Sequence, residues 1–199
     1  MAMLNIMTIK FIFIVTCFTI AILSYFICCS KKDWGWLTAG LLFTVGADYF
    51  LVIHNLHLPG VAVFCFAHIC YILRVADISK RAKKLVMAIA FVWVLLLFVN
   101  NALFMLAGTY AVLFAVNIAF NVRYFRQKNT LLPKFNKVLV LAGLILFVLC
   151  DINVALFNLP RQFDMPDIFP QAFYLIWVFY LPSQLLLAVS GIAFPKAKE

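Results

Sequence analysis

Charge is scarce in this chain, and acids are the scarcest. Only 7 of 199 residues are Asp or Glu, and all charged residues together make up 12%, about half the share usual in a soluble domain. With 67% hydrophobic residues and a mean hydropathy of +1.09, the chain cannot supply the polar surface of a soluble fold. A soluble globular enzyme, a disordered chain and a disulfide-stapled secreted module are excluded. No polar stretch is long enough to form a separate soluble domain. The six cysteines, Cys17, Cys28, Cys29, Cys65, Cys70 and Cys150, lie within or at the edge of apolar runs. None stands at metal-site spacing from a His, and they read as small buried hydrophobes. A Gly-rich phosphate loop, a GxSxG elbow and an HExxH helix are all missing. No Lys lies within the last apolar run, which removes a seven-helix retinal Schiff base. His54 and His57 are spaced i, i+3 but have no third ligand nearby, so they do not make a metal site.

What is present is a series of apolar runs near twenty residues long. They are continuous rather than alternating, which excludes a β-barrel. The expected fold is all-α: a single polytopic transmembrane domain over residues 1–199, with seven spans near 11–29, 36–54, 59–76, 85–100, 102–122, 138–157 and 171–193. The first run is followed by Lys31 and Lys32 rather than by a small-residue cleavage site, and reads as a span. Of the 16 Lys and Arg, all but Lys10 and Arg161 fall on one side of this arrangement. The positive-inside bias then puts the N-terminus outside and the C-terminus in the cytoplasm. An even number of spans would spoil that separation. The basic residues are thus accounted for by the bilayer, and nucleic acid is not an expected partner. With no retention signal or transit peptide visible, a bacterial cytoplasmic membrane is the default location.

An internal repeat links the second and sixth spans. Residues 39–56, AGLLFTVGADYFLVIHNL, align without gaps on 142–159, AGLILFVLCDINVALFNL, with identities at Ala, Gly, Leu, Val, Asp, Asn and Leu. Both segments run in the same direction, so the repeat is parallel. It pairs Asp48 with Asp151, the only acids inside apolar runs, at matched depth. At ~1.5 Å per residue, each lies roughly 9 Å below the outer boundary. A carboxylate there costs on the order of 2–3 kcal/mol, so the two require a polar cavity, partners or a shared proton. Other polar groups reach similar depth. His68 and Tyr71 share a face of the third span, and Tyr180 and Gln184 are an i, i+4 pair on the seventh. Pro182 between them frees the carbonyl of Val178. Tyr110, Asn117 and Asn121 share one face of the fifth span, and Asn117, Asn121, Thr44 and Asn55 read as interhelical glue. The first and fourth spans carry little polarity and read as lipid-facing. The two carboxyls are expected to face one interior cavity, with His68 and Tyr180 or Gln184 in its wall.

Four segments in order, GLLFTVGAD (40–48), AHICYI (67–72), LFVLCD (146–151) and YLPSQLLLA (180–188), resemble the YhhN family of membrane proteins, which includes the lysoplasmalogenases. The likeness extends over residues 36 to 190. Ala47 stands where the family usually has Gly and Cys150 where it usually has Ser, while Leu181 and Pro182 interrupt a Tyr-Tyr-Leu-Ala run. The resemblance implies hydrolysis of the vinyl ether of a lysoplasmalogen to a fatty aldehyde and a glycerophospho-base. Such ethers hydrolyse by protonation on carbon and addition of water to the oxocarbenium ion. That chemistry asks for one carboxyl acting as acid and a second that steadies the cation or activates water. Asp48 and Asp151 are the expected catalytic pair. His68, Tyr71, Tyr180 and Gln184 are the expected contacts to water or substrate, and a lysophospholipid-like membrane lipid is the expected partner. No metal or organic cofactor is required. The alternative from the residues alone is a small proton- or cation-coupled transporter or a lipid-binding membrane protein. A hydrolase of an ester or amide lipid is a third reading.

Overall fold

A computed structural model describes residues 2–76, 102–128, 130–163, 166 and 169–194. Among them are six helices: α1 (Ala2–Leu23), α2 (Lys31–Asp48), α3 (His57–Val75), α4 (Ala102–Arg126), α5 (Lys134–Gln162) and α6 (Ala172–Val189). All six are long and apolar enough to cross a membrane. The protein is an all-helical, polytopic membrane protein, because in hydrocarbon a helix satisfies its own backbone. The six helices match six of the seven expected spans. The expected span at 85–100 lies outside the described residues, as does the basic loop 80–84. The residues flanking that segment, Ala76 and Ala102, stand at opposite ends of the bundle: Phe104 stacks on Phe163 at 5.9 Å, while Arg74 meets Asp33 and Ser190.

Local chemistry explains several helix ends. The extended Ser30 precedes α2, with Asp33 in the first turn, where a carboxylate complements the free N–H groups. Arg123 and Arg126 occupy the last turn of α4 and complement the carbonyl end. Pro133 immediately precedes α5, a position that needs no N–H. α5 runs beyond the apolar core predicted for it, from Lys134 to Gln162, with Pro160 accommodated in its last turn.

Each helix packs on the next in chain order, and α1 returns to pack on α6. The six helices therefore close into a ring, with α2 also touching α6 across it. α1, α3, α4 and α6 run toward one end, and α2 and α5 run away from it. That end gathers Lys31, Lys32, Arg74, Arg126, Lys134 and Lys137, and is called the basic end below. Among its described side chains α1 buries one narrow stripe, Ile14, Cys17 and Ala21, which Ser24 just beyond its end continues. Large apolar side chains such as Ile12, Phe26, Phe66, Ile145 and Val178 face outward, as a lipid-facing surface requires.

The sequence repeat has a structural counterpart that extends into the following helices. Gly40 lies against Tyr71 of α3, where a Cβ would stand 2.5 Å from the ring. Gly143 lies against Leu187 of α6, where a Cβ would stand 3.0 Å from its Cγ. Seven residues before each glycine stand Asp33 and Asn136, and three residues after Tyr71 and Leu187 stand Arg74 and Ser190. Asp33 bonds Arg74, and Asn136 bonds the Ser190 carbonyl at 2.9 Å. The α2–α3 hairpin is thus repeated by α5–α6. In this register His68 corresponds to Gln184 and Phe64 to Tyr180.

One reading of the sequence needs correction here. Asp33 was expected to be a loop acid and Arg74 an ordinary cytoplasmic charge. Both are buried, and they form a side-on bidentate pair, Nε to Oδ1 at 2.7 Å and Nη2 to Oδ2 at 2.9 Å. Arg74 Nη1 also donates to Ser190 Oγ at 2.9 Å, so the pair ties α2, α3 and α6 together. Geometry of this kind is what lets a buried ion pair offset its desolvation.

Candidate functional site

Asp48 is the last residue of α2, and the chain widens immediately after it into a π-helical turn, Tyr49–Ile53. Such turns recur at functional positions, because the extra residue re-aims the side chains around it. The Asp48 carboxyl is buried and accepts a hydrogen bond from the Tyr180 hydroxyl at 2.6 Å. Asp151 sits mid-helix in α5, with no such turn after it. Its Oδ2 accepts from the Tyr110 hydroxyl at 2.7 Å. Asp151 and Tyr110 are only half-buried, whereas Asp48 and Tyr180 are buried. Each carboxyl therefore has its own tyrosine, from α6 in one case and α4 in the other. No hydrogen bond joins the two carboxyls.

His68 is fully buried on α3 and carries a defined tautomer. Asn121 Nδ2 donates to Asn117 Oδ1 at 2.8 Å, which commits the other end of the Asn117 amide to donating. Asn117 Nδ2 then lies 3.2 Å from His68 Nδ1. A donor at Nδ1 requires that the ring proton sit on Nε2. His68 Nε2 has no partner in the protein. At the corresponding position on α6, both amide atoms of the buried Gln184 are likewise without a partner, as is Ser183 Oγ. Buried donors and acceptors of this kind are uncommon.

An interior cavity shared by the two carboxyls was the expectation, and the two cavities described lie elsewhere. Of the two cavities described, one of about 550 Å³ lies at the basic end between α4 and α5, and one of about 10 Å³ lies beside Arg74, Tyr71 and Asn121. Neither is lined by Asp48 or Asp151. Aromatic rings fill the interior near them. Phe147 packs on Tyr180 at 5.6 Å, and also on His68, Phe114 and Phe64 at 5.6, 5.1 and 6.0 Å. His68 in turn meets the Tyr110 ring at 4.9 Å. Phe147 thus connects the surroundings of one carboxyl to those of the other. Tyr71 lies nearer the basic end, with its ring on Gly40 and its hydroxyl 3.5 Å from Thr44 Oγ1, a separation at the outer limit of a hydrogen bond.

Sequence reasoning assigned Asn117 and Asn121 to glue, yet they orient His68. It left Tyr110 without a role, yet Tyr110 is the partner of Asp151. The i, i+7, i+11 stripe formed by Tyr110, Asn117 and Asn121 was the available clue, because it set all three on the face that meets α3 and α5. Among the described residues no group of three His, Cys, Asp or Glu could hold a metal ion.

Apolar helices closed around a core holding two tyrosine-bonded aspartates define a polytopic membrane protein with an acidic intramembrane site. The chain belongs to the YhhN family, whose family model matches residues 11–191. No curated protein and no solved structure matches it.

Proposed function

We propose that this YhhN protein is a membrane-embedded lipid hydrolase of the lysoplasmalogenase type. It would cleave the vinyl ether of a single-chain phospholipid to a fatty aldehyde and a glycerophospho-base. The observation that carries this reading is the matched pair of short Asp–Tyr hydrogen bonds, 2.6 Å at Asp48 and 2.7 Å at Asp151. Interhelical adhesion needs only Ser or Asn, whereas general acid–base chemistry needs carboxyls.

In the proposed reaction, one carboxyl in its acid form protonates the outer vinyl carbon, leaving an oxocarbenium ion. The second carboxylate takes a proton from water as the water oxygen adds to that cation. The resulting hemiacetal breaks its C–O bond to release aldehyde and glycerol hydroxyl, so one water is consumed and one ether bond lost. The tyrosines orient the carboxyls. The free Nε2–H of His68 and the free Gln184 amide are suited to hold water or the ether oxygen, since unpaired buried polar atoms gain most from a ligand. The protein sits in a membrane, with the basic end read as cytoplasmic and the N-terminus outside; a bacterial cytoplasmic membrane remains our assignment.

The test is to incubate purified protein with a lysoplasmalogen, a lysophospholipid and a ceramide, and to follow aldehyde and fatty acid by mass spectrometry. Aldehyde from the lysoplasmalogen alone is the expected result, and fatty acid from either of the others would move the activity to an ester or amide lipid. A second reading, a proton- or cation-coupled carrier, draws on the parallel repeat, an architecture common in transporters. Proton uptake coupled to a solute, with every lipid left intact, would favour it.

A further inference from the structure

Among the cations whose side chains are described, one stands apart from the basic end. Lys10 lies on α1, far from the basic end, and its amine is held over the ring of Trp177 at 4.1 Å and that of Phe173 at 5.3 Å, both on α6. Its neighbour Phe11 packs on Tyr49 at 6.2 Å, and Tyr49 directly follows Asp48, so Lys10 stands near the Asp48 end of α2. Trp177 is also in contact with Tyr180 at 6.0 Å, and Tyr180 is the residue that bonds Asp48. Lys10 is half-buried. Among the described residues no carboxylate and no hydrogen-bond acceptor is joined to it, and the ion pair there is Asp33–Arg74. An ammonium group carries three donors, and the rings answer its charge but none of those donors.

We propose that Lys10 anchors the phosphate of a single-chain phospholipid lying between α1 and α6, with the first bonds of its chain toward Asp48. The identity of the lipid as a substrate rests on the hydrolase reading; the anchor itself does not. A phosphate oxygen accepts charge-assisted hydrogen bonds from an ammonium group, and the glycerol of a lysophospholipid separates its phosphate from the sn-1 ether by only a few bonds. The Trp177 and Phe173 rings form one wall for the amine and hold it toward α6, where a freely snorkelling lysine would extend along α1 to the interface. The arrangement makes Lys10 a binding and specificity residue that acts before the chemistry and takes no part in proton transfer.

The experiment measures binding in neutral detergent, without turnover. The probes are a saturated alkyl-ether lysophospholipid, which cannot be cleaved as a vinyl ether, the matching alkylglycerol without phosphate, and a diacyl phospholipid. Wild type should prefer the lysophospholipid to the alkylglycerol. Lys10→Met should weaken lysophospholipid binding by about tenfold or more, the loss expected for one hydrogen-bonded charge, and leave alkylglycerol binding unchanged. Lys10→Arg should restore most of the affinity. Unaltered melting of Lys10→Met protein separates this from a folding defect. If Lys10→Met binds the lysophospholipid as wild type does, Lys10 merely snorkels and the proposal is overturned. Equal, Lys10-dependent binding of the diacyl lipid would also overturn it, by making Lys10 a contact to bulk bilayer. An inactive wild type that still shows the Lys10-dependent preference would remove the hydrolase and keep the anchor. Where turnover is measurable, Lys10→Met should raise KM and leave kcat nearly unchanged.

Discussion

The α2–α3 hairpin and the α5–α6 hairpin have the same scaffold and different chemistry. In the first, the basic end is closed by a buried ion pair, Asp33–Arg74; in the second, by Asn136, which donates to the carbonyls of Ser190 and Ile192. A glycine lets the helices approach in both, against a tyrosine ring in one and a leucine in the other. Asp48 is followed by a π-turn, while Asp151 continues a regular helix. The second hairpin supplies Tyr180 to Asp48, but the first has Phe64 at the corresponding position, and Asp151 takes Tyr110 from α4 instead. The scaffold is symmetric because duplicated backbones pack alike. The side chains are not, because each carboxyl meets a tyrosine from a different helix and is buried to a different degree.

The largest effect should come from breaking the element the halves do not share. Arg74→Met leaves Asp33 buried and unpaired and should cost about 3–5 kcal/mol, whereas Asn136→Ala in the other half should cost about 1–2 kcal/mol. Denaturation of the detergent-solubilised protein would measure both, and Asp33→Asn combined with Arg74→Met should recover much of the loss. Equal costs in the two halves would erase the distinction drawn between them.

Next come the carboxyls that both halves share. Asp48→Asn and Asp151→Asn should each fold normally and lose about 10²-fold or more in turnover, the usual worth of positioned acid–base groups. Asn keeps the size but cannot transfer a carboxyl proton. Well-folded Asp48→Asn protein with near-normal aldehyde release would return both residues to interhelical adhesion.

The tyrosines should separate the halves on a finer scale. Tyr180→Phe and Tyr110→Phe each remove a short hydrogen bond to a carboxyl, worth about tenfold in rate. The Asp48 site should suffer more, because Asp48 is buried and cannot replace its partner with outside groups as the half-buried Asp151 can. Steady-state kinetics on the two variants would decide, and a larger loss in Tyr110→Phe would invert the comparison.

The smallest effect is expected at the His68 support. Asn117→Ala should lower turnover by a few fold, because it frees the imidazole to rotate, and His68→Gln should give a loss of similar size. Combined, the two should cost little more than either alone, since residues acting through one group are non-additive. A full additive loss would show that Asn117 acts without His68.

Much of this protein was determined by its sequence alone. Helix count and length follow from apolar runs measured against a bilayer of nearly fixed thickness, and the gathering of basic residues at one end follows from the loops between them. The depth match of Asp48 and Asp151 follows from a gapless repeat, since a helix converts residue spacing directly into height. What only the tertiary structure decided is partnership. Tyr180 rather than Tyr71 meets Asp48, Tyr110 meets Asp151, Asp33 folds inward onto Arg74, and Phe147 packs among Tyr180, His68 and Phe114. Extension of the repeat into α3 and α6 was also invisible, since Tyr71 and Leu187, or Arg74 and Ser190, share no side-chain chemistry. The physical reason is that hydropathy and spacing are properties of one helix at a time. The rotation of each helix about its axis, and hence what a polar side chain meets, is set by packing against neighbours distant in the chain.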